Sequence, residues 1–151
     1  MQTLELSPVM ADVTAKVLES MCFTSILDEV PQLEHAEHLW VAAKLVFKGK
    51  PSGSFGIGVS HSAASSIAAN FLGLDAEELS ATQINEVVGE LTNMIAGSLV
   101  SRFEADCCFT LSHPEMQSAD QLTERLAGSD ARIFQLEDGF FAVWLQIHEQ
   151  L

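Results

Sequence analysis

Ser80-Ala81-Thr82-Gln83-Ile84-Asn85-Glu86-Val87-Val88-Gly89-Glu90-Leu91-Thr92-Asn93-Met94-Ile95-Ala96-Gly97 is the stretch from which the architecture is best read. Ser80 followed three positions later by Gln83 is a capping box, and it predicts a long helix over 82–103. At about 100° per residue, Ile84, Val87, Val88, Leu91, Ile95 and Leu99 gather on one side of that helix. Glu86, Glu90, Asn93 and Gly97 gather within an arc of about 60° opposite, with Gly89 and Ala96 flanking them.

Working outward, Ser7-Pro8 has the form of a helix start, a capping serine before a proline in the first turn. Val9, Val13, Val17, Leu18, Met21 and Ile26 recur behind it at helical spacing, and Pro31 ends that helix or the short segment after it. Residues 38–47 and 54–59 read as strands joined by the turn-rich run Lys48-Gly49-Lys50-Pro51-Ser52-Gly53. An alanine-rich helix over 62–72 follows, with Gly73 as its stop. Beyond the long helix come a strand over 107–111 and a short helix over 118–126 with its own Ser-x-x-Gln start, closed near Gly128. The strands 133–136 and 140–147 are joined by Asp138-Gly139. Strand pairs separated by helices, without regular alternation, argue for an α+β fold: a largely antiparallel sheet with two long helices packed on one face.

The length of 151 residues, without a linker or low-complexity tract, predicts one domain over 1–151. A hydrophobic fraction of 48% excludes a disordered chain. The net charge of −14 repels phosphate backbones and anionic lipids, so neither nucleic acid nor membrane is an expected partner. The first ten residues lack the cationic and apolar blocks of a signal peptide, and no apolar run reaches the roughly 20 residues of a membrane span. Cys22, Cys107 and Cys108, odd in number and without CxxC spacing, fit neither a disulfide framework nor a zinc site. The adjacent Cys107 and Cys108 read as small buried hydrophobes, and a reducing, cytoplasmic setting follows.

The polar side of the long helix carries the functional signal. A solvated face would explain two glutamates and an asparagine, but not the glycines. Gly89 and Gly97 each cost about 1 kcal/mol relative to alanine in a helix interior. Small residues beside a carboxylate and an amide leave room for another backbone to approach, which suggests docking or catalysis.

Glu90-Leu91-Thr92-Asn93-Met94-Ile95-Ala96-Gly97 matches the Glu-x-x-Asn helix of the CheC/CheX/FliY family of chemotaxis phosphatases, and the chain resembles the CheX branch most closely. Val17 to Met21, the run from Gly56 to Ser60 leading into the alanine-rich helix, and Pro114 support the resemblance, which spans about residues 9–147. It implies a phosphatase acting on the aspartyl phosphate of a CheY-like response-regulator receiver. Asn93 would orient the attacking water and Glu90 would grip the receiver's lysine, with Glu86, Gly89 and Gly97 in the partner-binding surface. It implies no cofactor held by this chain, since Mg²⁺ comes with the receiver, and it implies a homodimer for which exposed strand edges offer one route. The sequence departs from the family pattern at Glu86, where Asp or Ser is usual, and in a slightly short Asn93–Pro114 spacing. The first helix offers only Glu19-Ser20-Met21-Cys22 where CheC-type members carry a second Glu-x-x-Asn, so a single site is expected.

Other signals are weaker. Gly53-Ser54-Phe55-Gly56-Ile57-Gly58 lies before or within a strand, not between strand and helix as a dinucleotide fingerprint requires. His35-Ala36-Glu37-His38 lacks a third ligand for zinc. His61 is a candidate cap for the helix it precedes, His113 reads as a loop residue and His148 as a strand end, while Trp40 and Trp144 read as core. Two alternatives stay open: a receiver-binding module of the same fold with little or no catalysis, and a purely structural dimer.

Overall fold

The computed structural model describes residues 3–31, 40–102 and 108–148, with the side chains of residues 3–7 not described. In chain order the elements are α1 (Thr3–Cys22), β1 (Asp28–Val30), β2 (Trp40–Lys48), β3 (Ser52–Ser60), α2 (His61–Leu72), a 3-10 turn (Ala76–Glu78) and α3 (Ala81–Val100). Then follow β4 (Thr110–Leu111), β5 (Glu115–Gln117), α4 (Ala119–Gly128), β6 (Asp130–Leu136) and β7 (Gly139–His148). The seven strands form one sheet in the order β1-β6-β7-β3-β2-β4, with β5 also on β2, and the pairs are antiparallel.

Strand alternation assigns the two faces. Ala43, Leu45 and Phe47 of β2, Phe55, Ile57 and Val59 of β3, and Phe141, Val143 and Leu145 of β7 share a core with α1, α2 and α3. Ala42 and Trp144 point the other way and pack with Leu122 of α4. The expected α+β sheet is present, but three helices cover one face and a fourth the other. The reason lies in Gly56 and Gly58: a methyl on Gly56 would strike the Trp144 indole, and one on Gly58 would strike Leu122. Glycine thins the strand where the indole and α4 press against it.

Capping chemistry sets the helix starts. In α3 the Ser80 hydroxyl accepts the Gln83 N–H at 3.1 Å and the Gln83 carboxamide accepts the Ser80 N–H at 2.9 Å. Ser118 and Gln121 repeat the arrangement in α4 at 3.1 and 2.8 Å. Each capping serine contributes about 1 kcal/mol. Gly73, with φ 68°, closes α2 by donating its N–H to the Ala69 carbonyl, as its lack of a Cβ permits.

Several boundaries differ from the sequence reading. α1 begins at Thr3, so Ser7 is not its cap and Pro8 lies inside the helix, at the loss of one i→i−4 hydrogen bond. It ends at Cys22, where Phe23 turns left-handed (φ 52°); Ile26 therefore lies beyond it, and Met21 is exposed. His61 opens α2 as a helical residue and Ser60 is the cap position, but its hydroxyl accepts the Phe140 N–H at 2.9 Å instead of capping. The last hairpin pairs Leu136 with Gly139, which places Glu137-Asp138 in the two-residue turn, one position earlier than Asp138-Gly139. The strand expected over 107–111 is confined to Thr110–Leu111, Cys108 is exposed, and Cys107 lies outside the described residues. Residues 38 and 39 of the first expected strand and His35-Ala36-Glu37-His38 also lie outside them. β1 and β5 are too short to announce themselves by alternation. Trp144 is fully buried as expected, while Trp40 is half-buried against the α4 cluster.

Candidate functional site

α3 is anchored before it is functional. Ile84, Val87, Val88, Leu91, Thr92, Ile95, Ala96, Leu99 and Val100 are buried, and the helix packs on β2, β3, α1 and α2. Thr92 is a buried polar group whose hydroxyl donates to the Val88 carbonyl at 2.8 Å, so it carries no unmet demand. Ala96, expected beside the polar residues, belongs to this buried side.

The opposite side forms a ridge. Glu86 and Glu90 are exposed, and Asn93, Gly89 and Gly97 are half-buried. Glu90 and Asn93 stand three residues apart, about 60° around the axis and about 4.5 Å along it. Among the described residues, no hydrogen bond or ion pair engages the side chains of Glu86, Glu90 or Asn93. The Asn93 carboxamide thus keeps its two donors and its acceptor for another molecule, and the Glu90 carboxylate keeps its acceptors for a cation.

The two glycines differ. A methyl on Gly97 would meet nothing within 4 Å, so the fold itself gains nothing from its absence. A methyl on Gly89 would sit 3.6 Å from Cβ and 3.9 Å from Cγ of Pro114, in ordinary contact. Pro114 therefore flanks the ridge at the turn before Asn93. Periodicity cannot reveal this neighbour, because a helix position and a loop residue 25 positions later become adjacent only through the pairing of β4 and β5 with β2.

Two cavities among the described residues lie away from the ridge. One of about 350 Å³ lies between α1, β1 and β6, lined by Asp12, Ile26, Glu29 and Phe134. The other, about 180 Å³, lies by Phe23, Asn70 and Leu136. A projecting carboxylate and carboxamide suit a substrate that brings its own pocket better than one that must be enclosed.

The corresponding stretch of α1 is closed. Cys22 is completely buried, and burial pushes its thiol up to about 11. Its carbonyl accepts from Asn70 Nδ2 and from the Thr24 hydroxyl, each at 2.9 Å. Glu19 is exposed, but the residue three positions on is the buried Cys22, and the one four positions on, Phe23, is exposed but apolar and lies beyond the helix end.

A family model described as chemotaxis phosphatase CheX matches residues 41–136. No curated protein matches the chain. Among solved structures, the CheX–CheY–BeF3–Mg²⁺ complex from Borrelia burgdorferi contains a chain 22% identical to this one, with a TM-score of 0.72 over 99% of each chain. Chemotaxis protein CheX from Desulfovibrio desulfuricans is 19% identical, with a TM-score of 0.70 over 95% of this chain and 99% of that one. CheX from Vibrio vulnificus is 18% identical, with a TM-score of 0.71 over 95% and 97%. These likenesses establish a shared fold. Among the described residues no helix is long and apolar enough to cross a membrane.

Proposed function

Because the chain belongs to the chemotaxis phosphatase CheX family, its activity is that of a phosphatase, and we propose that it acts through Glu90 and Asn93 on the aspartyl phosphate of a CheY-like receiver domain. The observation that supports this most is the ridge itself: an outward carboxylate and carboxamide one helical turn apart, without internal partners among the described residues. The structure of a CheX bound to CheY with BeF3 and Mg²⁺ supports the choice of partner.

An acyl phosphate already has a good leaving group, and the receiver brings its own Mg²⁺ and lysine. What remains for the phosphatase is to place a water in line with the phosphorus. The Asn93 oxygen accepts from that water and fixes its direction, while the amide NH₂ donates to neighbouring oxygen. The Glu90 carboxylate pairs with the receiver's lysine and sets the register of the two proteins. Gly89 and Gly97 keep the ridge low enough for the receiver's loops to close on it, and Glu86 extends the contact surface. No side chain of this protein becomes covalently modified. The same reading takes 1–151 as one CheX-like domain working in the cytoplasm, as a homodimer for which the end strand β1 offers an edge.

The test is phosphate release from a CheY-like receiver charged with acetyl phosphate and Mg²⁺. The native chain shortens the lifetime of the phosphoryl group. Asn93→Ala returns it to the receiver's own rate while still binding the phosphorylated receiver. Acceleration unaffected by Asn93→Ala refutes the assignment; binding without acceleration by the native chain makes it a receiver-binding module.

A further inference from the structure

We infer that Ser112 is a positioning residue for this reaction: it holds a strand bulge that sets Pro114 beside the space used by the Asn93 carboxamide. The inference rests on the role assigned to Asn93 above.

The register shows the bulge. Phe47 of β2 pairs with Leu111, and Lys44 of β2 pairs with Glu115. Between those pairs, Leu45 and Val46 face three residues, Ser112, His113 and Pro114. One residue is in excess, which is the definition of a bulge, and proline tolerates the interrupted ladder because it has no N–H to lose.

Ser112 closes that interruption from both sides. Its backbone N–H donates to the Val46 carbonyl at 2.8 Å, and its hydroxyl accepts the Val46 N–H, also at 2.8 Å. The same hydroxyl donates to the His113 carbonyl at 3.3 Å. Both main-chain groups of Val46 are thus answered by one residue, the side-chain oxygen replacing a strand carbonyl that the bulge has turned away. Residue 112 thereby ties the segment carrying Pro114 to β2 near its C-terminal end.

The consequence reaches α3. Pro114 lies against Gly89, and Gly89 is one turn before Asn93 on the same flank. Helical side chains lean toward the helix N-terminus, so the Asn93 carboxamide extends over the Gly89 turn. The bare Cα of Gly89 leaves room there, and the Pro114 ring walls one side of it. A bulge that drifts removes that wall and lets the carboxamide adopt orientations that do not aim the water.

The experiment is steady-state dephosphorylation of a receiver charged with acetyl phosphate, comparing the native chain with Ser112→Ala, Ser112→Thr, Pro114→Ala, Ser112→Ala/Pro114→Ala and Asn93→Ala, each checked for folding by circular dichroism. Misaiming by a fraction of an ångström gives Ser112→Ala a kcat lower by about tenfold with KM within about twofold. Ser112→Thr, which keeps the hydroxyl, restores kcat. The double variant loses no more than Pro114→Ala, because both act through one wall. An unchanged kcat in folded Ser112→Ala overturns the inference, as does a change confined to KM, a failed rescue by Ser112→Thr, or additive losses in the double variant. If Asn93→Ala is fully active, the role of Asn93 falls and this inference with it. If Asn93→Ala is inactive and Ser112→Ala is not impaired, only the positioning role falls.

Discussion

Two helices of this molecule carry a glutamate followed three positions later by a candidate partner, and only one of the pairs is available to another molecule. In α3, Glu90 is exposed and Asn93 is half-buried on the side opposite the core stripe, with the helix continuing to Val100. In α1, Glu19 is also exposed, yet Cys22 stands one turn after the buried Leu18 and is itself completely buried at the last residue of the helix. Spacing alone does not make a site. The phase of the pair against the core stripe, and its distance from the helix end, decide whether two side chains project together.

Transplanting the amide tests this comparison most severely. In an Asn93→Ala background, Cys22→Asn creates no second site: receiver dephosphorylation stays at the uncatalysed rate, and recovered acceleration would contradict the geometry. The same substitution buries an unpartnered amide, with an expected loss of about 2 kcal/mol. Calorimetry should show that loss as a fall in Tm of roughly 4–8 °C.

The glycines sharpen the contrast from the α3 side. Gly89→Ala should stabilise the helix by about 1 kcal/mol, because the added methyl meets Pro114 only at ordinary contact distance. By filling the notch beneath Asn93 it should also slow receiver dephosphorylation, by roughly tenfold. Gly97→Ala, with nothing within 4 Å of the new methyl, should give a similar gain in stability and act mainly on KM. Denaturant midpoints and steady-state kinetics, measured together, show whether stability and function move in opposite directions.

The smallest effect concerns thiol reactivity. Burial holds the Cys22 thiol near 11, so at pH 8 only about a thousandth of it is thiolate, and the core screens even that. Cys108 is exposed. Peptide mapping after brief alkylation should find Cys108 modified and Cys22 intact, and rapid labelling of Cys22 would mean that the end of α1 opens.

Strong local signals made much of this legible in the sequence. Ser80 and Gln83 announced the start of α3, the glycine run before the alanine-rich helix lay within a strand, and the i, i+3, i+4 pattern separated the buried side of α3 from the ridge. Short range is also where the reading stopped. β1 and β5 have three residues each and no alternation to detect, periodicity marks α4 as a helix without assigning it to the far face, and Ala96, which helical angles place beside the polar residues, is buried. Ser7-Pro8 had the chemistry of a helix start, but α1 extends a turn upstream and accepts one missing hydrogen bond.

The amino-acid order by itself determined that α3 would be amphipathic, where it would start, and that a carboxylate and a carboxamide would stand one turn apart on its polar side, because these follow from periodicity and capping within one segment. Tertiary structure alone decided that this side would face outward, that Cys22 would be swallowed by the core, and that Ser112 and Pro114 would arrive beside Gly89. Those outcomes depend on strand register and sheet order, which are set by the joint burial of residues far apart in the chain.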